Sequence, residues 1–357
     1  MESTTPKLPN DVIVEILTWL PLMSLLKFKC VCRSWFSLIS TRHFAMSHLR
    51  KSRQDLASSS HRIILNCRGG TLKHCSLPSI LRDPAAEAFD TDYSSPFAGD
   101  FVWVVGSCDG LVCLAVNRKH LILWNPSTRI RKQLPDSGVD ISFRSYVTYG
   151  FGHDEASDDY KVVFFNINSH LSEAVAKVYC VRNDDEWRSL ESCSSSSLTD
   201  DPASFVHGKL HWMTTSDKDI VFVDLATEES GTLKLPSYVR IEHYSRLGAS
   251  EGSLIVLCSN QTHADVWIMD YEASALSWTK AASIPCLDDF LRFSYKRVLY
   301  VLKDGVVVLD CGPRIVIFDL KNGSVRDVEL RNCNGGLRAS LLYIESLVSP
   351  VSFRMNV

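Results

Sequence analysis

The chain has 357 residues, of which 45% are hydrophobic and 22% charged, with a net charge of −3. Those proportions are typical of a folded soluble protein, and the length fits two domains or one large β domain. The polar N-terminus and the interruptions at Asn10, Asp11, Glu15 and Pro21 predict no signal peptide. No stretch approaches the eighteen or so uninterrupted apolar residues of a membrane span, so a cytoplasmic and/or nuclear protein is expected.

Leu8 to Ser40 reads as a compact run of short helices. Ile13, Ile16, Leu17 and Leu20 recur at helical spacing and predict a first helix, with Asn10 or Asp11 as its cap and Pro21 as its stop. Leu22, Leu25 and Leu26 open a second helix, and Val31, Trp35, Leu38 and Ile39 give a third apolar face. Folds below about 40 residues usually need help to be stable. Leu8, Pro9, Trp19, Leu25, Val31 and Trp35 cannot all point inward in so small a bundle, so a partner groove is expected to take the remainder. Residues 1–53 hold eight Lys/Arg against three acids, a net of +5, and leave −8 for the rest. A basic head on an acidic body suits an acidic protein partner. The positive charges are scattered over helix faces rather than clustered with aromatics, which argues against nucleic acid.

This segment resembles an F-box. The residues that carry the likeness are Leu8-Pro9, Ile16-Leu17, Leu20-Pro21, Leu25-Leu26-Lys27-Phe28 and Val31-Cys32-Arg33-Ser34-Trp35, in order between residue 8 and about residue 49. The resemblance implies docking onto the Skp-type adaptor of an SCF ubiquitin ligase, and through it onto the cullin and RING subunits. Carried over position by position, it implies an adaptor-binding set of Leu8, Pro9, Ile16, Leu17, Leu20, Pro21, Leu25, Val31, Cys32 and Trp35. The expected organisation is a small all-α, three-helix domain over 1–50, a linker over 51–60, and a client-binding β domain over 61–357.

From residue 100 the texture changes to short apolar strands separated by Gly, Asp, Ser and Pro. Four segments begin with a polar residue and glycine: Asp109-Gly110, His207-Gly208, Glu251-Gly252 and Asp304-Gly305. This is hairpin chemistry, because glycine reaches positive φ at little cost. Each segment runs 14 to 18 residues from its glycine to a bulky residue followed by Asn or Asp: Trp124-Asn125, Val223-Asp224, Met269-Asp270 and Phe318-Asp319. The successive Asn/Asp positions are 99, 46 and 49 apart, so a further unit fits between the first two. A period near 47 to 50 with three or four strands per unit predicts a β-propeller. Five units lie between 100 and 330. A sixth is assembled from HRIILNC and LKHCSLP after residue 61 together with the C-terminal SLLYIESLV, which gives about six blades, with seven allowed.

The units lack the double glycine of kelch repeats and the Trp-Asp pair of WD repeats. They resemble the plant F-box associated domain through Leu123-Trp124-Asn125-Pro126-Ser127-Thr128-Arg129, Tyr149-Gly150-Phe151-Gly152, Asp158-Asp159-Tyr160-Lys161-Val162-Val163 and Tyr343-Ile344-Glu345-Ser346-Leu347-Val348. The resemblance covers nearly the whole chain. It implies a plant source and a non-catalytic substrate receptor that holds a protein client for ubiquitination. Family members include self-incompatibility factors and regulators of immune-receptor turnover, and nothing in the chain selects among them.

Catalytic patterns are weak, and no cofactor is expected. Asp154, Glu155, Asp158 and Asp159 lack the spacing of a calcium loop and read as a solvated turn. His207 and His211 read as part of a packed aromatic cluster beside Trp212, on one strand face and without a third ligand. Arg129 to Lys132 reads as a basic blade edge. The twelve cysteines form no metal set and read as reduced, small buried side chains. Client-binding residues are unassigned, and the candidate loops are 136–142, 166–173, 194–204 and 240–246. The rival readings are a propeller enzyme, which would need convergent acids near the axis, and an F-box scaffold or carbohydrate-binding module acting outside a ligase.

Overall fold

The computed structural model describes residues 8–54, 60–67, 71–97, 101–168, 173–183, 186–191, 197–215, 219–235, 244–260, 262–271, 277–285, 297–312, 314–333 and 337–351. Four helices come first: α1 (Asn10–Thr18), α2 (Leu22–Phe28), α3 (Arg33–Ile39) and α4 (Arg42–Gln54). Neither Asn10 nor Asp11 caps α1. The cap position belongs to Pro9, at φ −54°, and Pro21 holds the same position for α2 at φ −55°. Both prolines are thus pre-set for helix entry, and their carbonyls accept the first helical N–H groups. The two Leu-Pro pairs are helix starts: Pro21, expected as the stop of the first helix, follows its end at Thr18 and also opens α2. The fourth helix was not expected, and it runs four residues past the predicted boundary at 50. Its buried face is Phe44, Ala45, His48 and Leu49.

The body is a six-bladed propeller. Blade 1 takes His61–Cys67, Leu72–Ser76 and Phe89–Asp90, and is completed by Leu337–Ile344. Blade 2 is Val102–Cys108, Leu111–Val116, His120–Trp124 and Arg131–Gln133. Blade 3 is Tyr146–Asp154, Asp159–Asn168, Glu173–Cys180 and Arg188–Ser189. Blade 4 is Ser204–Val206, Lys209–Met213, Asp219–Asp224 and Ser230–Lys234. Blade 5 is Tyr244–Ser250, Ser253–Ser259, His263–Asp270 and Ser277–Pro285. Blade 6 is Arg297–Val301, Val306–Asp310, Ile315–Asp319 and Ser324–Arg331.

The ring closes as the repeat predicts. The C-terminal strand runs antiparallel to His61–Cys67, with Ile64 opposite Leu341. A second seal was not foreseen. Leu77–Arg82, whose first two residues were expected to end a strand segment, forms helix α5, and Ala85–Glu87 then adds to the outer edge of blade 6 in parallel with Glu329–Arg331. Arg326 of blade 6 fixes this crossover by donating to the carbonyls of Ile80, Leu81 and Asp83.

The polar-glycine pairs form the turns that the sequence called for. Asp109-Gly110, His207-Gly208 and Glu251-Gly252 have positive φ at both residues, the geometry of a tight type I′ hairpin. Apolar runs such as LVCLAV follow from blade stacking. In Leu111–Val116, Leu111, Cys113 and Ala115 pack toward blade 3, while Val112, Leu114 and Val116 pack toward blade 1. Both faces of a middle strand are buried, so it reads as a continuous hydrophobic run.

Candidate functional site

The helical head is one body with the propeller. Leu17, Leu22, Leu25, Ile39, Phe44 and Leu49 share a core with blades 2 and 3. Two ion pairs brace the junction. Arg42 of α4 grips Asp158 in the first turn of blade 3, with Nε donating to Oδ2 at 3.0 Å. Arg53, at the end of α4, pairs with Asp109 of the first turn of blade 2, and Asp109 also accepts the Tyr160 hydroxyl at 2.8 Å. The hydrogen bonds from Arg42 hold the Asp158 carboxyl below its usual pKa. Burial pushes the Tyr160 phenol upward, so it acts as a donor to Asp109 rather than as a titrating group.

Several of the strings singled out in the sequence meet at this junction. Asn125 is fully buried, and its amide nitrogen donates to the carbonyls of Ser346 and Val348 at 3.0 and 2.6 Å. Its carbonyl oxygen accepts the N–H groups of Ser127 and Thr128. Ser346 in turn donates to the Asp109 carbonyl at 2.6 Å. Leu347 and Val348 enter the core shared with the head. The C-terminal segment therefore runs between blade 2 and the helices.

With its inner side occupied, the head still carries apolar side chains outside. On α1 and its lead-in, Leu8, Val12, Ile16 and Trp19 recur at helical spacing, between 42% and 66% exposed. Met23, Val31 and Phe36 are also exposed. Of the residues named from sequence, Leu8, Pro9, Ile16, Pro21, Val31 and Cys32 are exposed, and Leu20 and Trp35 are half-buried. Trp35 packs against Phe28 with ring centroids 5.2 Å apart. Leu17 and Leu25 are buried in the shared core, where they support the surface from beneath. Ile16 lies outside although Leu17 lies inside, so the face expected from Ile13, Ile16, Leu17 and Leu20 divides between core and solvent. The Ser34 hydroxyl, 3.1 Å from Cys32 Sγ, holds that thiol below its ordinary pKa.

Val12, Trp19, Met23 and Phe36 were absent from the implied adaptor-binding set, although Trp19 was counted among the apolar side chains too many for the small bundle to bury. The signal available for the first two was the stripe continuing from Leu8 through Val12 and Ile16. Trp19 is also held in place. Its indole N–H donates to Glu15 Oε1 at 2.9 Å, and Lys51 reaches the same oxygen at 2.7 Å while lying 4.2 Å from the ring centroid. The Lys51 hydrogen bond, with that of Trp19, lowers the Glu15 pKa.

The four candidate client loops lie at the opposite end of the blades. The turns between the two inner strands of blades 2 and 3 meet the head through Asp109 and Asp158, so the second strand of each blade ends away from it, as do the blade-to-blade connections. Residues 169–172, 194–196 and 240–243 of these loops lie outside the described residues. The described parts are tied together in pairs. Asn166 Nδ2 donates to the Asp140 carbonyl at 3.2 Å, and Arg246 pairs with Asp201 at 3.1 Å. Beside them Phe143 is 89% exposed, with the Arg144 guanidinium 5.2 Å from its ring centroid. The Ser145 amide donates to the Ser142 carbonyl, which closes the turn that carries this ring.

The remaining polar features are internal. Asp154 and Asp159 are buried, which corrects the reading of a solvated turn: Asp154 binds Lys161 at 3.1 Å, and Asp159 accepts the N–H groups of Tyr160 and Arg182. His207 sits in the hairpin turn and His211 in the following strand, so they do not share a strand face. Both pack around Tyr271, whose hydroxyl lies 2.6 Å from His211 Nε2. The basic edge strand holds its neighbours, with Arg131 donating to the Ser94 carbonyl and Lys132 to the Val181 carbonyl. Cys30 and Cys32 are exposed, Cys333 is half-buried, and Cys193 and Cys286 lie outside the described residues. The innermost strands enclose an axial cavity of about 730 Å³, whose mouth on the head side is lined by Arg53, Gln54 and Asp109. Among the described residues no three His, Cys, Asp or Glu side chains are placed to hold a metal ion, and no helix is long and apolar enough to cross a membrane.

Family comparison agrees with both halves. An F-box domain model matches residues 6–46, and an F-box associated β-propeller domain model matches residues 62–342. An Arabidopsis thaliana F-box/kelch-repeat protein, At3g23880, is 33% identical over 357 residues, covering 96% of each chain. The Arabidopsis thaliana F-box protein CPR1 is 29% identical, covering 96% of this chain and 88% of its own. Among solved structures, the nidogen/laminin complex overlaps with a TM-score of 0.45 and 11% identity, over 80% of this chain and 98% of that one. The count of six blades rests on this chain's own sheets. The chain belongs to the family of F-box proteins that carry a C-terminal F-box associated β-propeller domain.

Proposed function

We propose that this chain is the substrate-recognition subunit of an SCF-type ubiquitin ligase. The observation that carries this reading is the solvent-exposed apolar stripe Leu8, Val12, Ile16 and Trp19 on a head whose inner side is already filled by the propeller. A Skp-type adaptor is the occupant that an F-box implies, with the cullin and RING subunits joined through it. Fully burying an aliphatic or aromatic side chain contributes about 1.5–3 kcal/mol, so a stripe of this size supports a stable complex. Pro9, Pro21, Val31, Cys32 and Trp35 extend the proposed contact set, and Leu17, Leu20 and Leu25 hold its shape.

The propeller's far face, with loops 136–142, 166–173, 194–204 and 240–246 and the projecting Phe143, is the proposed client surface. The subunit does no covalent chemistry in this scheme. It raises the local concentration of client lysines beside the ubiquitin-loaded enzyme. The two ion pairs and the shared core support it mechanically, because a rigid joint fixes the direction in which the client is presented. A cytoplasmic and/or nuclear site of action follows from that role.

The test is co-purification of the full-length chain with a plant Skp-type adaptor and cullin. Leu8→Ala combined with Ile16→Ala should abolish recovery of the adaptor while leaving the melting temperature unchanged. Full recovery by that variant would sink the docking assignment. Recovery of the adaptor without cullin would point to an F-box scaffold outside the ligase.

A further inference from the structure

Cys67 and Cys333 are 266 positions apart in sequence, yet their sulfur atoms lie 2.6 Å from one another. That is inside the contact distance of two non-bonded sulfurs. Cys67 ends the first strand of blade 1, at a bulge where its pairing with the C-terminal strand shifts register. Cys333 follows the last strand of blade 6 and precedes the closing strand. The two thiols therefore face each other across the seam where the ring is sealed. Their surroundings are apolar, with Cys75, Leu77, Ile80 and Leu337 in the same cluster.

We propose that Cys67 and Cys333 form a reversible disulfide that staples the propeller seam under oxidising conditions. Access dictates the order of events. Cys67 is 1% exposed, and burial pushes its thiol up to about 12, so it stays protonated and is not the group that meets oxidant first. Cys333 is half-buried and reaches the surface. With hydrogen peroxide, the Cys333 thiolate attacks one peroxide oxygen, the O–O bond breaks, and sulfenic acid and hydroxide result. Cys67 then gives up its proton to that hydroxide, its sulfur attacks Cys333 Sγ, and the S–OH bond breaks to release a second hydroxide. That hydroxide takes up the proton which Cys333 lost on ionising. In sum, two thiols and one peroxide give one disulfide and two waters. Oxidised glutathione takes the same route through a mixed disulfide on Cys333, with glutathione thiolate as the leaving group. A thiol reductant reverses either path.

The bridge would tie two segments that the fold already holds together, so native geometry changes little while the unfolded chain is strongly constrained. Cross-links that close long loops restrict the unfolded chain most. The ring's weak point is its seam, because there the strands of one blade come from opposite ends of the chain. An oxidised seam therefore opens more slowly, and the reduced protein remains folded on its strand pairing alone.

The experiment uses the full-length chain carrying Cys30→Ser and Cys32→Ser, which removes the thiols that are exposed among the described residues. After peroxide or oxidised glutathione, non-reducing peptide mapping should recover one peptide joining Cys67 to Cys333. The melting temperature should rise by several degrees and return to its starting value with dithiothreitol. Cys333→Ser should remove both effects while keeping the reduced melting temperature. Cys67→Ala provides a second variant that places no hydroxyl in the apolar cluster. Recovery of Cys333 as an overoxidised acid with Cys67 still a thiol would overturn the proposal. So would a cross-link between two chains through Cys333, or a linked peptide with no change in melting temperature.

Discussion

Asn125 and Val348 are 223 residues apart, and a 2.6 Å hydrogen bond from the Asn125 amide to the Val348 carbonyl joins them. The same nitrogen serves Ser346, while the oxygen of that side chain closes its own turn. One fully buried amide thus holds the blade 2 turn and the C-terminal segment together. Asn125→Ala should cost about 2–4 kcal/mol, because it strands buried carbonyls as well as removing bonds. Asn125→Asp should be worse, since a carboxylate would face those carbonyls. Urea denaturation of the purified chain measures both.

Gly110 and Gly208 occupy equivalent hairpin turns with φ of +81° and +73°. They differ in what a side chain would meet. A Cβ at Gly110 would lie 2.2 Å from Ser346 Oγ and 2.5 Å from the Ile344 carbonyl, whereas at Gly208 nothing lies within 4 Å. Gly208→Ala should therefore cost only the backbone strain of about 1–2 kcal/mol. Gly110→Ala should cost more than about 4 kcal/mol or yield no folded protein. Thermal melts of the two variants side by side separate the cases.

Burial lowers the pKa of three histidines: His211 to about 4, with His48 and His74 moving in the same direction. For each, the folded value lies below the unfolded one. The unfolded chain then binds a proton that the folded chain refuses, so stability is fully present above about pH 6.5 and falls as the pH drops toward 4. His211 alone contributes roughly 3 kcal/mol to that loss. His211→Gln should flatten the decline between pH 6.5 and 4, as read from denaturation midpoints across that range. A slope unchanged from wild type would show that His211 is protonated in the folded protein.

Trp19 is exposed but fixed by Glu15 and Lys51. A rigid, pre-set aromatic loses little freedom on docking, which favours it as an anchor. Trp19→Ala should weaken adaptor binding by about 30-fold, and Lys51→Ala by about 2–5-fold through a loosened ring. Trp19→Ala should barely move the melting temperature, since the ring is at the surface, whereas Lys51→Ala should lower it modestly, because the half-buried ammonium also ties α4 to Glu15 and Thr18 of α1. Calorimetry against a purified Skp-type adaptor reads the affinities.

Much of this was legible because the relevant signals are local. Polar-glycine pairs specify tight hairpins, and their spacing counts blades. The C-terminal SLLYIESLV has no partner nearby in sequence, which is why ring closure could be inferred. The features that escaped are those set by tertiary contact. Helix α4 buries Phe44, Ala45, His48 and Leu49, and an alanine and a histidine carry little hydrophobic signal. The crossover strand Ala85–Glu87 is only three residues long and owes its place to blade 6. Neighbouring Ile16 and Leu17 look alike in sequence, and only the packing of the head against the blades sends one outward and the other inward. Asp154 and Asp159 read as solvated because their basic and backbone partners lie further along the chain.

The seam also has a consequence in time. During synthesis the helical head leaves the ribosome first, yet blade 1 gains its innermost strand only when Leu337–Ile344 emerges, some three hundred residues later. Until then the nascent ring is an open arc, and the buried tail that Asn125 waits for does not exist. A message truncated near its end would therefore yield a head without a finished ring. Under the proposed function, such a fragment would occupy adaptor while presenting no client, turning an incomplete product into a competitor of the intact one.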